Sequence, residues 1–147
     1  FFFNNQYKLH CISASMSMVK LLTAENQVNN EIFHLIDKFF DLIKETNWLK
    51  KYIHWELELL KMSGYDLNLE KIVKKINENN KTFYIVENQN EKKFVPNFLV
   101  EKDIEVDDKN ELINGIKLVT NYLDKNILRP NNLNQPMQRQ DFINILK

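Results

Sequence analysis

WLKKYIHWELELLKMSGYDLNL, residues Trp48–Leu69, decides how this chain folds. At about 100° per residue, Trp48, Leu49, Tyr52, Ile53, Leu59 and Leu60 share one broad arc, and Lys50, His54 and Lys61 lie opposite. The stretch therefore predicts a long amphipathic helix. Gly64 follows the last periodic residue and suits a left-handed position just past the helix, after which Tyr65, Leu67 and Leu69 return apolar side chains to the core. One residue breaks the pattern. Glu56 falls near the middle of the apolar arc, where an unpaired carboxylate would cost several kcal/mol, so it needs a partner. Backbone N–H groups of a nearby loop are the expected donors.

From Trp55 to Leu69 the residues run W-E-L-x-L-L-K-x-x-G-Y-x-L-x-L. This resembles the signature of the RecO family of bacterial DNA recombination and repair mediators, in its alphaproteobacterial form. A second match, at Gly115, Leu118, Tyr122, Leu123, Ile127, Arg129 and Pro130, then Leu133, Pro136, Phe142, Ile143 and Leu146, is similar to that family's C-terminal helix, Arg-Pro turn and closing helix. The apolar pattern at Leu21, Leu22, Ile32, Phe33, Leu35 and Ile36 fits as well, so the resemblance covers nearly the whole chain. Trp55, Glu56, Leu59, Leu60, Gly64, Leu67 and Gly115 are the residues that carry it as a structural signature.

Composition bounds what the chain can be. Its 147 residues, 44% hydrophobic and 27% charged, suffice for one compact core. Twenty basic residues balance twenty acidic ones, so nucleic-acid contact would have to come from a local patch. The single Cys11 rules out an internal disulfide and a multi-cysteine zinc site, consistent with a reducing cytosol. No run has the length of apolar residues needed to cross a bilayer, and Phe1-Phe2-Phe3 is too short for a signal-peptide core. With only two glycines, neither in a phosphate-binding motif, a Gly-rich phosphate loop is excluded.

In chain order, residues 1–11 read as a linker or as the end of a missing N-terminal domain, which in the family is a small barrel of the oligonucleotide-binding type. Residues 12–147 read as one helical domain. Ile12 to Leu22 predicts a short first helix. Asn29 or Asn30 can cap a second, whose Ile32, Phe33, Leu35, Ile36, Phe39, Phe40 and Ile43 recur at helical spacing. The Trp48 helix then folds back beside it. After Leu69 the period changes: Ile72, Val73 and Ile76, then Thr82 to Val86, then Lys93 to Val95 are short β-prone runs, predicting a small antiparallel ribbon over about 72–96. Many members of the family carry four cysteines here, as a zinc ribbon does; this chain has none, so the resemblance implies a metal-free equivalent held by Phe83, Ile85, Phe94 and Val95 packing on the helices. Asp107 or Asp108 caps a further helix with Leu112, Ile113, Ile116, Val119, Tyr122, Leu123 and Ile127 on its apolar face. Arg129 to Asn132 is a loop, and Pro136 opens a last helical segment in which Phe142, Ile143 and Leu146 close the core.

The chemistry-bearing groups are few. Glu56 in an apolar site has the surroundings of a general acid or base, but no His, Cys or Ser stands at a spacing that would put one beside it, and a structural carboxylate is the favoured reading. His10 with Cys11, or His34 with His54, lack the paired spacing of a metal site. Asp103, Glu105, Asp107 and Asp108 lack the ordered spacing and central Gly of a calcium loop. Lysines come in pairs, and Lys71, Lys74, Lys75, Lys81, Lys92 and Lys93 could form one positive strip able to touch DNA phosphates if the ribbon folds back on the Trp48 helix.

The expected fold is thus mostly α, a helical domain with a small antiparallel β-ribbon insert, and the expected protein is not an enzyme and needs no cofactor or metal. The resemblance implies a mediator that, with RecR, helps load RecA on single-stranded DNA coated by the single-strand-binding protein SSB, and anneals complementary strands. It also implies a cytoplasmic, nucleoid-associated protein that touches DNA mainly through the missing domain, and no membrane. In the family the helical region offers a pocket to the acidic, Phe-terminated tail of SSB. Such a tail needs an apolar slot beside cations; Lys50, Lys51, Lys61 and Arg129 are candidates for the cations, and Trp55 with Met62 for the slot. The alternative is a degenerate helical interaction module that works independently of DNA.

Overall fold

A computed structural model describes residues 5–23, 30–88 and 90–147. Helix α1 spans Asn5–Leu22, α2 Asn30–Leu42, α3 Trp48–Met62, and α4 is the single turn Leu69–Ile72. Strands β1 Lys74–Glu78, β2 Lys81–Asn88 and β3 Glu91–Val95 follow. The short helix α5 Asn97–Val100, α6 Lys109–Leu123 and α7 Met137–Leu146 complete the fold. It is a helical domain with a three-stranded insert, as the periodicity predicts.

Helix α3 is the centre. Trp48, Leu49, Tyr52, Ile53, Trp55, Leu59 and Leu60 are all buried, and α3 touches α1, α2 and α6. Aromatic rings join the layers: Phe39 of α2 lies 5.1 Å from Trp55, and Phe142 of α7 lies 5.4 Å from Tyr52 and 6.3 Å from Trp48. The helix ends as the sequence predicts. Gly64 has φ +90°; its N–H bonds to Lys61 O and the Tyr65 N–H to Leu60 O at 2.8 Å, the paired bonds that satisfy the last carbonyls of a helix closed by a left-handed residue.

The start of the chain differs from expectation. Helix α1 begins at Asn5, so residues 5–11 are neither linker nor strand. The polar composition hides a helical face: Tyr7 packs on the core and Cys11, Ala14 and Met18 are buried in it, three or four residues apart, and α1 lies along α7. The possible capping residue Asn29 lies outside the described residues, as do Phe1, Phe2 and Phe3.

The ribbon starts two residues later than expected. Asp66 Oδ1 accepts from the Asn68 N–H, Asn68 adopts φ 54°, and one helical turn follows that takes in Ile72. The three strands form an antiparallel sheet in the order β1-β2-β3. Asn79 and Asn80 connect β1 to β2 with φ of 52° and 64°, the double left-handed turn that matches strand twist. Tyr84 and Val95, directly opposite each other, bury against the helices. Phe94 does not. It is 75% exposed and meets Phe83 edge-on, centroids 6.2 Å apart, because strand alternation turns it away from Val95. The hydrophobic grip expected of Phe94 comes from Tyr84 instead.

Beyond the ribbon, Asp108 caps α6, its Oδ1 accepting from Asn110 N at 2.8 Å. Gly115 lets Phe98 of α5 lie against α6: a Cβ there would sit 2.5 Å from Phe98 Cζ. The helix then widens into a π turn, Asp124–Leu128, and the expected loop at Arg129–Asn131 is a 3-10 turn.

Candidate functional site

Glu56, the misfit of the helical wheel, is 1% exposed, and its partner is Arg139 of α7, which is fully buried. Arg139 Nε donates to Glu56 Oε1 and Oε2 at 3.0 and 3.2 Å, and Nη2 donates to Oε1. The Tyr52 hydroxyl donates to Oε2. Arg139 Nη1 donates to Thr120 Oγ1 at 2.9 Å and Gln135 Oε1 at 2.8 Å, so the network ties α3, α6 and α7 together. The donors are therefore a guanidinium and a phenol, not loop amides. Burial opposes the charge on Arg139, yet the Glu56 carboxylate beside it, with Tyr52, raises its pKa above the ordinary arginine value. Burial, then Glu56, pushes the Tyr52 phenol and the Cys11 thiol well up, so both keep their protons. Glu56, Arg139 and Tyr52 are committed to one another and to Thr120 and Gln135. The cluster reads as architecture, with no exposed nucleophile or base.

Of the partner-binding residues expected from the wheel, Trp55 is not open to a partner. Trp55 is buried, donating from Nε1 to Leu35 O at 2.7 Å beneath α2, and cannot line an open slot. The wheel places it at the edge of the arc, but α2 covers that edge. Met62 is half-buried against the core. Lys51 pairs with Glu45, and Arg129 with Asp124 at 2.8 Å. Lys50 is half-buried and Lys61 exposed.

Nor do the ribbon lysines make one strip. The strand register puts Lys74, Lys81 and Lys92 on one face and Lys75 and Lys93 on the other, with Lys71 on α4. Glu87 sits among them and binds Lys74 at 2.8 Å and Lys92 at 3.6 Å, which lowers its own pKa, while Lys93 reaches Glu91 at 3.9 Å. Lys71, Lys75 and Lys81 are exposed. Among the described residues no group of three or more His, Cys, Asp or Glu is placed to hold a metal.

What the structure does build is a groove of about 770 Å³ between the ribbon and α6. Leu67, Leu69 and Ile72 form its floor, so the segment after Gly64 delivers signature residues to a surface as well as to the core. One wall is ribbon: Tyr84, Val86 and the run Lys93-Phe94-Val95. The other is a helical stripe, Glu111, Asn114, Lys117, Leu118, Asn121 and Tyr122, prolonged by the π turn, which adds Lys125 and Asn126. Tyr122 fixes that wall to the floor segment by donating from its hydroxyl to Tyr65 O at 3.1 Å. An aliphatic trough edged by Lys93, Lys117 and Lys125, with Glu111 the only carboxylate among the described lining residues, suits a chain segment that is apolar on one side and acidic on the other. The wheel of α3 missed this site because it forms where two later elements face each other. The stripe of Asn and Lys along α6 was the signal that could have found it.

The comparisons agree with the architecture. The family described as recombination protein O C terminal matches residues 5–130. The chain belongs to that family. Among the relatives of this RecO C-terminal domain are the DNA repair protein RecO of Rickettsia canadensis (strain McKiel) and those of Rickettsia africae (strain ESF-5) and Rickettsia conorii (strain ATCC VR-613 / Malish 7). Each is 30% identical over 71 residues, which is 48% of this chain and 30% of the relative. The match thus spans under a third of each relative's length. No solved structure matches the RecO domain significantly.

Proposed function

We propose that this domain is the protein-docking part of a RecO-type DNA repair and recombination mediator, not an enzyme, working in the bacterial cytoplasm. In that role it helps RecR load RecA on SSB-coated single-stranded DNA, and the ribbon–α6 groove takes the acidic, Phe-terminated tail of SSB. The groove is the observation that carries the reading: its aliphatic floor accepts a phenylalanine ring, and Lys93, Lys117 and Lys125 stand where the tail's carboxylates would lie. DNA contact belongs mainly to the family's barrel domain, with Lys71, Lys75 and Lys81 as auxiliary phosphate contacts. Lys74 and Lys92 contribute less, since Glu87 already holds them.

A titration with a fluorescent SSB tail peptide, against a control lacking the terminal Phe, tests the reading. Binding that needs the Phe, weakens with salt and is lost in Lys117→Glu with Lys125→Glu supports it. No binding to either peptide overturns it. The neutralised ribbon favours one further reading, an interaction module independent of DNA; binding of the tail peptide with no retention on single-stranded DNA at low salt would select it.

A further inference from the structure

The groove has a property that its side chains alone do not express. The turn at Asn79-Asn80 makes Glu78 and Lys81 a hydrogen-bonded pair, as a two-residue hairpin with both positions left-handed requires. Alternation along the ladder then directs the N–H and C=O groups of Lys81, Phe83 and Ile85 toward β1, and those of Tyr84 and Val86 toward β3. Opposite Tyr84 and Val86 stand Val95 and Lys93, which answer those bonds. The backbone groups of Lys92 and Phe94 therefore point outward, along the free edge of the sheet's last strand.

That edge borders the groove. Lys93, Phe94 and Val95 line it in succession, although alternate side chains of a strand leave opposite faces, so the strand presents its flank there as well as one face. Lysines on an edge ordinarily discourage strand pairing, and the other free edge fits that purpose: β1 offers Lys75 and Asn77, exposed, and contributes nothing to the groove. Strand β3 differs in presenting Phe94, 75% exposed, beside an aliphatic trough. Across the trough, Asn114 and Asn121 carry amides that can bond to a main chain from the second side.

We infer that the groove binds an extended, acidic segment of a partner protein as a fourth strand on β3, held by the outward backbone groups of Lys92 and Phe94. The inference rests on the groove being a peptide-docking site and adds how the peptide is held. Recognition of main chain does not need a chain end, so the partner class widens to internal acidic segments with an apolar residue at alternate positions. Charge selects the class: Lys93, Lys117 and Lys125 outnumber Glu111.

The test uses the whole domain and a short peptide, acetylated and amidated, that alternates aspartate with isoleucine around a central phenylalanine. Three competitors accompany it: the same peptide N-methylated at alternate residues on either edge, the free-carboxylate SSB tail peptide, and oligothymidylate. The expected result is binding of the blocked peptide, a loss of about tenfold or more on methylation of one edge only, and slowed exchange of the Lys92 and Phe94 amide protons in the complex. Phe94→Pro should abolish binding while keeping the sheet, because its N–H makes no ladder bond; Phe94→Ala, which keeps the N–H, should retain the sensitivity to methylation. Equal binding of the methylated peptides with unchanged exchange overturns strand addition and leaves the docking reading intact, as does binding of the free-carboxylate tail alone. Failure of every peptide overturns both. Displacement of the peptide by oligothymidylate, with Lys92 and Phe94 unprotected, assigns the groove to nucleic acid and overturns the inference.

Discussion

Replacing Arg139 by methionine removes a buried cation of similar reach and leaves the Glu56 carboxylate with only the Tyr52 hydroxyl. The variant loses the donors that Arg139 gives to Glu56, Thr120 and Gln135. Breaking a buried pair from one side costs about 3–5 kcal/mol, because an uncompensated charge stays behind. For a domain of this size that is a large part of the roughly 5–15 kcal/mol of total stability, and roughly 6–20 °C in Tm. Urea denaturation followed by tryptophan fluorescence reads it directly, since Trp48 and Trp55 are both buried beside the network. Replacing both partners, Glu56→Leu with Arg139→Met, exchanges the pair for apolar volume and should recover most of the loss. A cost below about 1 kcal/mol for the single variant, or a double variant no more stable than the single, would refute the reasoning.

Three further outcomes follow from the same geometry. His54 lies edge-on to Phe98, and burial, then Lys102 and Lys50, lower its pKa to about 4. Above pH 6.5 the ring is neutral in both states. Between 6.5 and 4 the unfolded chain gains a proton that the fold refuses, so stability should fall through that window by ~1–2 kcal/mol more in the wild type than in His54→Phe, the half-buried ring being partly screened by solvent; parallel pH profiles would sink the assignment. Gly115→Ala should destabilise by about 1–3 kcal/mol despite the better helix propensity of alanine, since its Cβ meets the buried Phe98 ring, and Phe98→Leu in the same chain should recover part of that in thermal melts. Gly64→Ala, where the space is open but φ is +90°, should cost about 1 kcal/mol from backbone conformation alone, measured by the same melts.

Much of this fold was legible because its local rules agree. The helical arc from Trp48, the stop at Gly64 and the change of period after Leu69 each map to an observed element. Glu56 was legible as a problem but its solution was not, since Arg139 lies 83 residues downstream on a helix whose polar and apolar residues show little segregation. Trp55 was misplaced for a related reason: a wheel records direction from one axis and carries no knowledge of the helix that will cover it. The ribbon lysines looked like a strip in sequence, yet pleating divides them between two faces and Glu87 claims two of them. The groove was the least legible feature, being a relation between β3 and α6 with no counterpart in either segment alone.

The packing of α1 on α7 sets the order in which this domain can be completed during synthesis. Helix α1 leaves the ribosome first, with its buried face unmatched, and Glu56 follows without its cation. Neither meets its partner until the residues around Arg139 emerge, at elongation rates of about 5–20 residues per second and so several seconds later. Until then the nascent chain carries an open apolar seam, which favours collapse, and a carboxylate at its centre whose charge opposes burial without Arg139. Folding of these elements is in this sense timed by helix α7.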